Sequence, residues 1–330
     1  MTAHIGKGTP PASSENLVIG ETHHDGRFMR WFNSRGWVNT IIATPYVWLL
    51  LFFFLPFLIV VAMSFATRTP TAPPFSFGGE HPLFNFAGYA RLFEDSLYIR
   101  AYLTSVTNAA FATFMCLLIG YPMALGLTRV SKSWRNVLLM LVILPFWTSF
   151  LLRVYAWMGL LGNNSWFNRL LTDAYNFLVP SEWALRSIPM MNTNFAVVLV
   201  MVYSYLPFMI LPLYANLEKL DRTLDEAAMD LGSRPFRTFL DVTLPLSIPG
   251  IIAGGMLVFI PAAGELIIPS LVGNSSQPMI GRVISDEFSS ARDWPMASAV
   301  AVALLMLLVI PMMAYTHFEG KAQTKAREEP

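Results

Sequence analysis

The chain has 330 residues, is 55% hydrophobic and only 13% charged, and carries a net charge of +1. Soluble domains average about 25% charged residues, so this composition marks a protein that lives in a bilayer. Its near-zero charge implies no bulk electrostatic partner such as nucleic acid, and its single cysteine, Cys116, excludes an internal disulfide or a Cys-based metal site.

Residues 1–39 form a polar leader with Pro10-Pro11, Ser13-Ser14 and His23-His24. It lacks periodicity and reads as disordered; two adjacent histidines without further ligands read as solvated rather than as a metal site. A hydrocarbon core of about 30 Å needs ~20 apolar residues of helix, and six stretches within 40–318 qualify. The first, near 41–65, lies in the charge-free interval between Arg35 and Arg68. Its apolar run of about 25 residues is too long for the ~7–15-residue core of a signal peptide. The second, 101–128, holds Cys116, expected as a packed small residue. The third, 136–160, contains Arg153, and the fourth is 194–216. A polar segment, 218–246, separates it from the fifth, 247–271, which contains Glu265. The sixth is 296–316, and 319–330 is a polar tail. Pro56, Pro122, Pro145, Pro207, Pro212 and Pro261 fall inside these spans. Each removes a backbone hydrogen bond that neighbours must replace, which suits mutually packed, kinked helices of a transporter better than a passive anchor.

Orientation follows from basic residues in the flanks. All five lysines (Lys7, Lys132, Lys219, Lys321, Lys325) fall in the N-terminus, the 2–3 loop, the 4–5 loop or the C-terminus. Both termini and the 218–246 segment are therefore expected in the cytoplasm. The opposite loops, about 67–99, 162–193 and 272–295, carry Phe75, Phe77, Tyr89, Trp166, Trp183 and Trp294. These aromatics suit either interfacial packing or a docking surface for an extracytoplasmic partner.

The 218–246 segment has helix signals. Thr223 is placed to cap a helix, with Glu226 reaching back to its N–H. Asp225 and Glu226 suit the positive end of the helix dipole. Gly232 is placed to end the helix in the left-handed conformation. Pro235 starts a second helix, with Phe236, Phe239, Leu240 and Val242 as its apolar side. The expected product is two short helices lying against the bilayer.

Glu265 inside a span is costly and a functional candidate by default. One reading makes it a cation site on the pathway, with Tyr155, Trp157 or Trp294 offering cation–π contact. The other pairs it structurally with Arg153. Asp286, Glu287 and Asp293 lie in the next outer loop, either as a steering or binding-protein contact or as a solvated loop neutralised by Arg282 and Arg292.

Residues 226–245, EAAMDLGSRPFRTFLDVTLP, resemble the EAA loop of bacterial ABC importer permeases through Glu226-Ala227-Ala228, Gly232 and Leu244-Pro245. Val242 stands where that family commonly has Ile. The runs Ile143–Trp157, Gly254–Pro269, Ile280–Val283 and Arg292–Pro295 resemble polyamine importer permeases of the putrescine type. The resemblance implies an all-α, six-span type I permease fold in a bacterial inner membrane. It implies that Glu226, Ala227, Ala228, Asp230, Gly232 and Arg234 form the loop contacted by an ATPase. The implied partners are a second permease, two ATPase subunits that bind ATP and Mg, a periplasmic binding protein and the polyamine; the chain itself would hold no cofactor or metal. The chain has no G-x-x-x-x-G-K-[ST] phosphate loop, HExxH or GxSxG, so a separate ATPase is expected and catalysis by this chain is not. Other cargo on the same machine, or a proton-coupled transporter using Glu265, are the competing readings.

Overall fold

The structure is a computed structural model that describes residues 35–78 and 84–328; the leader features, His23-His24 among them, lie outside the described residues. The chain divides into two compact units, Met1–Leu58 and Ile59–Pro330.

The described part of the first unit is helical. Helix α1 (Trp37–Met63) contains a π-turn at Leu50–Phe54, and helical structure already begins at Arg35, inside the expected leader. Trp48 and Phe52, four residues apart, pack with ring centroids at 4.2 Å and planes tilted by 31°.

The second unit is built on α3 (Ser96–Arg129), α7 (Asn194–Leu217) and α10 (Ile248–Ala263), which pack pairwise against one another. What lets them approach is a face of small side chains. Ala101, Ser105, Ala109, Ala112, Cys116, Gly120 and Ala124 recur every three or four residues along α3, and all are buried. Such spacing lines one side of a helix and lets backbones come close in a bilayer. Cys116 is part of this seam, its thiol donating to the Val202 carbonyl at 3.6 Å, as a packed residue should. Opposite, Met209 of α7 fills the space above two glycines. A Cβ at Gly254 would lie 2.9 Å from its Sδ, and one at Gly120 would lie 3.1 Å from its Cγ.

Two expected spans are not continuous. The third divides into α4 (Lys132–Ile143), a 3₁₀ turn (Leu144–Trp147) and α5 (Phe150–Leu161), with α6 (Trp166–Leu178) following. The segments Lys132–Trp147 and Phe150–Leu178 meet at 89°. Pro145 withholds one backbone hydrogen bond at the 3₁₀ turn, but Leu144 before it stays helical (φ −48°, ψ −41°); the chain turns where Thr148 (φ −99°, ψ 150°) and Ser149 (φ −57°, ψ 132°) leave helical geometry. The fifth ends at Ala263 and resumes as α11 (Ile267–Val272). Gly281 stabilises this break by having no side chain: a Cβ there would sit 2.5 Å from the Gly264 carbonyl oxygen and 2.7 Å from that of Glu265. The last helix, α13 (Trp294–Glu328), starts where Asp293 accepts the Met296 N–H at 3.0 Å. Among the described residues, three helices are long and apolar enough to cross a bilayer, or five if each bent pair is one span, with Trp294–Ile310 a shorter apolar stretch.

The outer segments add α2 (Ala87–Glu94), α12 (Ile280–Ser289) and, as the one strand pair among the described residues, a hairpin of β1 (Thr67–Arg68) with β2 (Phe75–Ser76). Tyr98, in the first turn of α3, donates to Glu287 of α12 at 2.6 Å. At the other end of the same helix, the Thr128 carbonyl accepts from Arg222. Thirty residues of helix separate these contacts, about 45 Å at 1.5 Å per residue.

Candidate functional site

The segment that Arg222 begins contains α8 (Thr223–Asp230) and α9 (Pro235–Leu246), the latter with a π-turn at Phe239–Thr243. The capping box expected at Thr223 and Glu226 does not form. Asp221 does the work instead: its carboxylate accepts the Thr223 N–H at 3.0 Å, and helical geometry already begins at Arg222. That backbone hydrogen bond holds the Asp221 carboxyl below its ordinary pKa. Asp221 two residues before Thr223 is an Asx-turn signal that a search for S/T-x-x-E passes over.

The other end of α8 behaves as expected. Gly232 has φ +90°, its N–H donates to the Met229 carbonyl at 2.9 Å, and the Ser233 N–H donates to the Ala228 carbonyl at 3.1 Å. This pair of bonds is the Schellman closure, which needs a left-handed residue at the glycine position. Pro235 then occupies the first turn of α9. Phe239 and Val242 turn inward, with Phe239 edge-on to Tyr121 at 5.5 Å. Phe236 and Leu240, expected on the same apolar side, are exposed. The π-turn accounts for this, since its extra residue shifts the helical face.

Specific contacts fix the loop on the bundle. Thr243 donates to Asp225 at 3.0 Å, joining α9 to α8. Tyr121 of α3 and Ser247 share a hydroxyl hydrogen bond of 2.9 Å. Arg135 of α4 pairs with Glu218, just past the end of α7, at 2.6 Å. Between α8 and the ends of α3 and α7 lies a cleft of about 370 Å³, lined by Arg129, Asp221, Arg222, Asp225 and Glu226 among others. Glu226, Ala227, Asp230, Gly232 and Arg234 face outward, with Ala228 half-buried. Leu231 is 91% exposed and Phe236 74%. Leu231 was not singled out in the sequence, and Phe236, expected on the buried apolar side, is instead an exposed tip on the other side of Gly232. A large apolar residue on each side of a glycine in an otherwise polar loop is the signal that could have found them.

The residues proposed for a cation pathway do not gather. Glu265 is 9% exposed and already engaged. It accepts the Tyr205 hydroxyl and the N–H groups of Ile267 at 3.0 Å and Ile268 at 3.4 Å, so it closes the open first turn of α11. No ion pair joins it to Arg153. The Arg153 guanidinium lies 6.0 Å from the Phe146 ring centroid and 5.6 Å from that of Phe150, and its Nε and Nη1 have no hydrogen-bond partner. Trp157 packs edge-on to Tyr203 at 5.4 Å, Tyr155 is exposed, and Trp294 stacks on Phe288 at 5.1 Å in the outer region. The outer acids are likewise engaged singly. Asp286 lies 3.8 Å from Arg282, Glu287 accepts from Tyr98, and buried Asp293 faces Arg68 at 3.6 Å and Arg91 at 3.8 Å. Among the described residues no group of three or more His, Cys, Asp and Glu is placed to hold a metal ion.

A close-packed bundle of long apolar helices carrying an outward-facing helix–glycine–helix loop defines a membrane transport subunit. Residues 116–323 match the family described as the binding-protein-dependent transport system inner membrane component, and the chain belongs to that family. It is 39% identical over 277 residues to the spermidine/putrescine transport system permease protein PotB of Haemophilus influenzae, covering 83% of this chain and 91% of that protein. It is 38% identical over 275 residues to PotB of Escherichia coli, covering 83% of this chain and 95% of that one. The fold is shared with a bacterial alginate ABC transporter solved in complex with an alginate pentasaccharide-bound periplasmic protein: TM-score 0.65, 17% identity, 89% of this chain and 98% of that chain. The chain is thus a non-catalytic, multi-pass inner-membrane permease subunit of an ABC importer.

Proposed function

We propose that this permease imports a polyamine, putrescine foremost, by alternating access. It works as a heterodimer with a second permease, two ATPase subunits that bind ATP and Mg, and a periplasmic polyamine-binding protein. Its termini and the 218–246 loop face the cytoplasm. Closure of the ATPases on ATP pushes α8 and α9, whose ties at Thr243–Asp225, Arg222–Thr128 and Tyr121–Ser247 transmit the movement to α3 and α10. The cavity then opens outward to receive cargo, and hydrolysis resets it. Glu226, Ala227, Ala228, Asp230, Gly232 and Arg234 form the contact surface, with Leu231 and Phe236 seated in the ATPase.

The observation that carries the cargo is the 38–39% identity, over most of the chain, to proteins named for spermidine and putrescine. Site chemistry contributes less, because Glu265 is occupied as a helix cap. Arg153, with two guanidinium nitrogens unpartnered, favours a second reading in which the same machine carries an anion. Uptake of labelled putrescine, spermidine and sulfate, by cells with and without the chain, separates the two. Chain-dependent, ATP-dependent polyamine uptake that fails in Glu226 or Gly232 variants supports the first reading. Sulfate uptake without polyamine uptake supports the second. Glu265→Gln tests the residual pathway role, which unchanged uptake kinetics would rule out.

A further inference from the structure

Helix α6 is amphipathic and turned inside out. On its inner side Asn168 and Thr172 are buried and Asn176 half-buried, at four-residue intervals along one face. The three clasp the segment that follows. Asn168 donates to the Ile188 carbonyl at 2.8 Å, and the Ile188 N–H meets the Asn168 Oδ1 and the Thr172 hydroxyl, each at 3.2 Å. Thr172 also donates to Asn168 at 3.1 Å, and Asn176 exchanges two hydrogen bonds with the Leu185 backbone, at 2.8 and 2.9 Å. The apolar side faces out. Trp166, Leu170 and Phe177 fall within about 40° of arc, at about 100° per residue. All three are exposed, Phe177 by 89%, and Leu178 and Trp183 extend the patch. A helix facing water would be arranged the other way round.

Two observations identify what the strip faces. The clasped segment leads directly into α7, whose start is capped by the Thr193 hydroxyl accepting the Ala196 N–H at 3.2 Å. α7 has 24 residues, about 36 Å of helix against about 30 Å of hydrocarbon. Its Asn194 end, opposite the 218–246 loop, therefore stands at a bilayer boundary, and α6 stands there with it. The flanks of the strip are charged without net sign: Arg169 and Asp173 on the helix, Glu182 and Arg186 just beyond it, all exposed. A headgroup layer keeps such charges hydrated while acyl chains take the tryptophan, leucine and phenylalanine. A dry protein partner would have to cover both. We infer that α6 is an interfacial anchor, its Trp166–Leu170–Phe177 strip inserted among the phospholipid acyl chains of the leaflet opposite the 218–246 loop. Of the two roles expected for Trp166 and Trp183, this is interfacial packing rather than a docking surface. It also gives the 89° turn a use, since Phe150–Leu178 leaves the direction of α4 and ends along the boundary. The inference rests on the inner-membrane setting of the family and not on the proposed cargo.

The test uses the complete importer in phosphatidylcholine nanodiscs, with a nitroxide on single cysteines in a Cys116→Ala chain. Labels at Leu170→Cys and Phe177→Cys should collide with dissolved oxygen several-fold more often than with a water-soluble nickel chelate. Their depth should be about 5–10 Å into the headgroup and acyl boundary. A label at Asp173→Cys, on the charged flank, should favour the nickel chelate. Phosphatidylglycerol nanodiscs should give the same ratios, because the flanking charges cancel. Low collision with both reagents at Leu170 and Phe177 would overturn the inference by putting a protein, the second permease foremost, over the strip. A preference for nickel there would overturn it by leaving the strip in water, and a depth near the bilayer centre by making α6 part of a span. A second measurement needs no label. Phosphatidylcholine brominated on its acyl chains should quench a larger share of wild-type tryptophan fluorescence than of Trp166→Phe fluorescence, and equal shares would overturn the inference.

Discussion

Gly232 separates two causes that substitutions usually confound. Within the chain nothing lies within 4 Å of a Cβ built there, so a larger residue meets no neighbour of its own fold and only the backbone conformation at φ +90° objects. Gly232→Ala should therefore depress ATP-driven uptake several-fold at normal membrane abundance, whereas Gly232→Asn, which tolerates the left-handed region, should retain most of it. Equal uptake by the two variants would remove the conformational explanation. Asp221 supplies a pH signature. Its carboxyl is held below the ordinary value of about 3.9. Its contribution to α8 is therefore complete above that value and fades as pH falls through the lower, folded one. Exchange protection of the Thr223 amide should follow that course, and Asp221→Ala should lose the protection at neutral pH. Of these two residues the glycine was legible, because a left-handed terminator has a strong residue preference. The cap was not, because Thr223 and Asp221 offer competing side-chain caps two residues apart and only the backbone decides between them.

Among the elements, the seam of α3, α7 and α10 is held by the absence of side chains. At Gly254 a Cβ would meet both the Met209 Sδ at 2.9 Å and its carbonyl oxygen at 3.1 Å. Gly254→Leu should cost about 1–3 kcal/mol or more as an overpacked site, read as lower melting temperature and folded yield of the detergent-solubilised protein. Met209→Ala in the same chain should recover only part of the loss, because the carbonyl contact remains. Charge-free intervals located the apolar stretches well, and α3 and α7 run within a few residues of expectation. Hydropathy has no term for direction, however, so the 89° bend beyond Pro145 and the stop before Glu265 stayed hidden. A proline inside an apolar run reads as a kink or a break with equal ease until its neighbours are known. The same blindness made Glu265 look like a charge inside a continuous span rather than one seated, still buried, at a helix start.

Across the whole molecule, the proposed coupling loop and the α12 segment lie at opposite ends of α3, a separation that ties any topology test to both. Cys116 is buried in the seam, so it should add little background to thiol labelling. In a Cys116→Ala chain, Ser290→Cys should react with a membrane-impermeant maleimide in intact cells, and Arg234→Cys should react only after lysis. The reverse pattern would invert the proposed orientation. The family and the helix–glycine–helix geometry of the 218–246 segment were legible because they are carried by contiguous residues, Glu226 to Pro245. The arrangement of the outer segments was not, because Asp293 meets Arg68 and Arg91 and Glu287 meets Tyr98 across long stretches of sequence, whereas only the Arg282–Asp286 pair is local.

The π-turn at Phe239–Thr243 holds one residue more than an α-helix needs for the same stretch. Releasing that residue would rotate Pro235–Thr238 against Leu244–Leu246 by about 100°, the angular step of one helical residue. If α9 receives the push proposed above, the strut contains a built-in notch, set between two angular positions. Deleting Leu240 should leave an unbroken α-helix that still reaches the membrane but presents Phe236 and Arg237 from a different bearing. Assembly with the ATPase, measured by co-purification, should then fail while insertion of the chain is preserved.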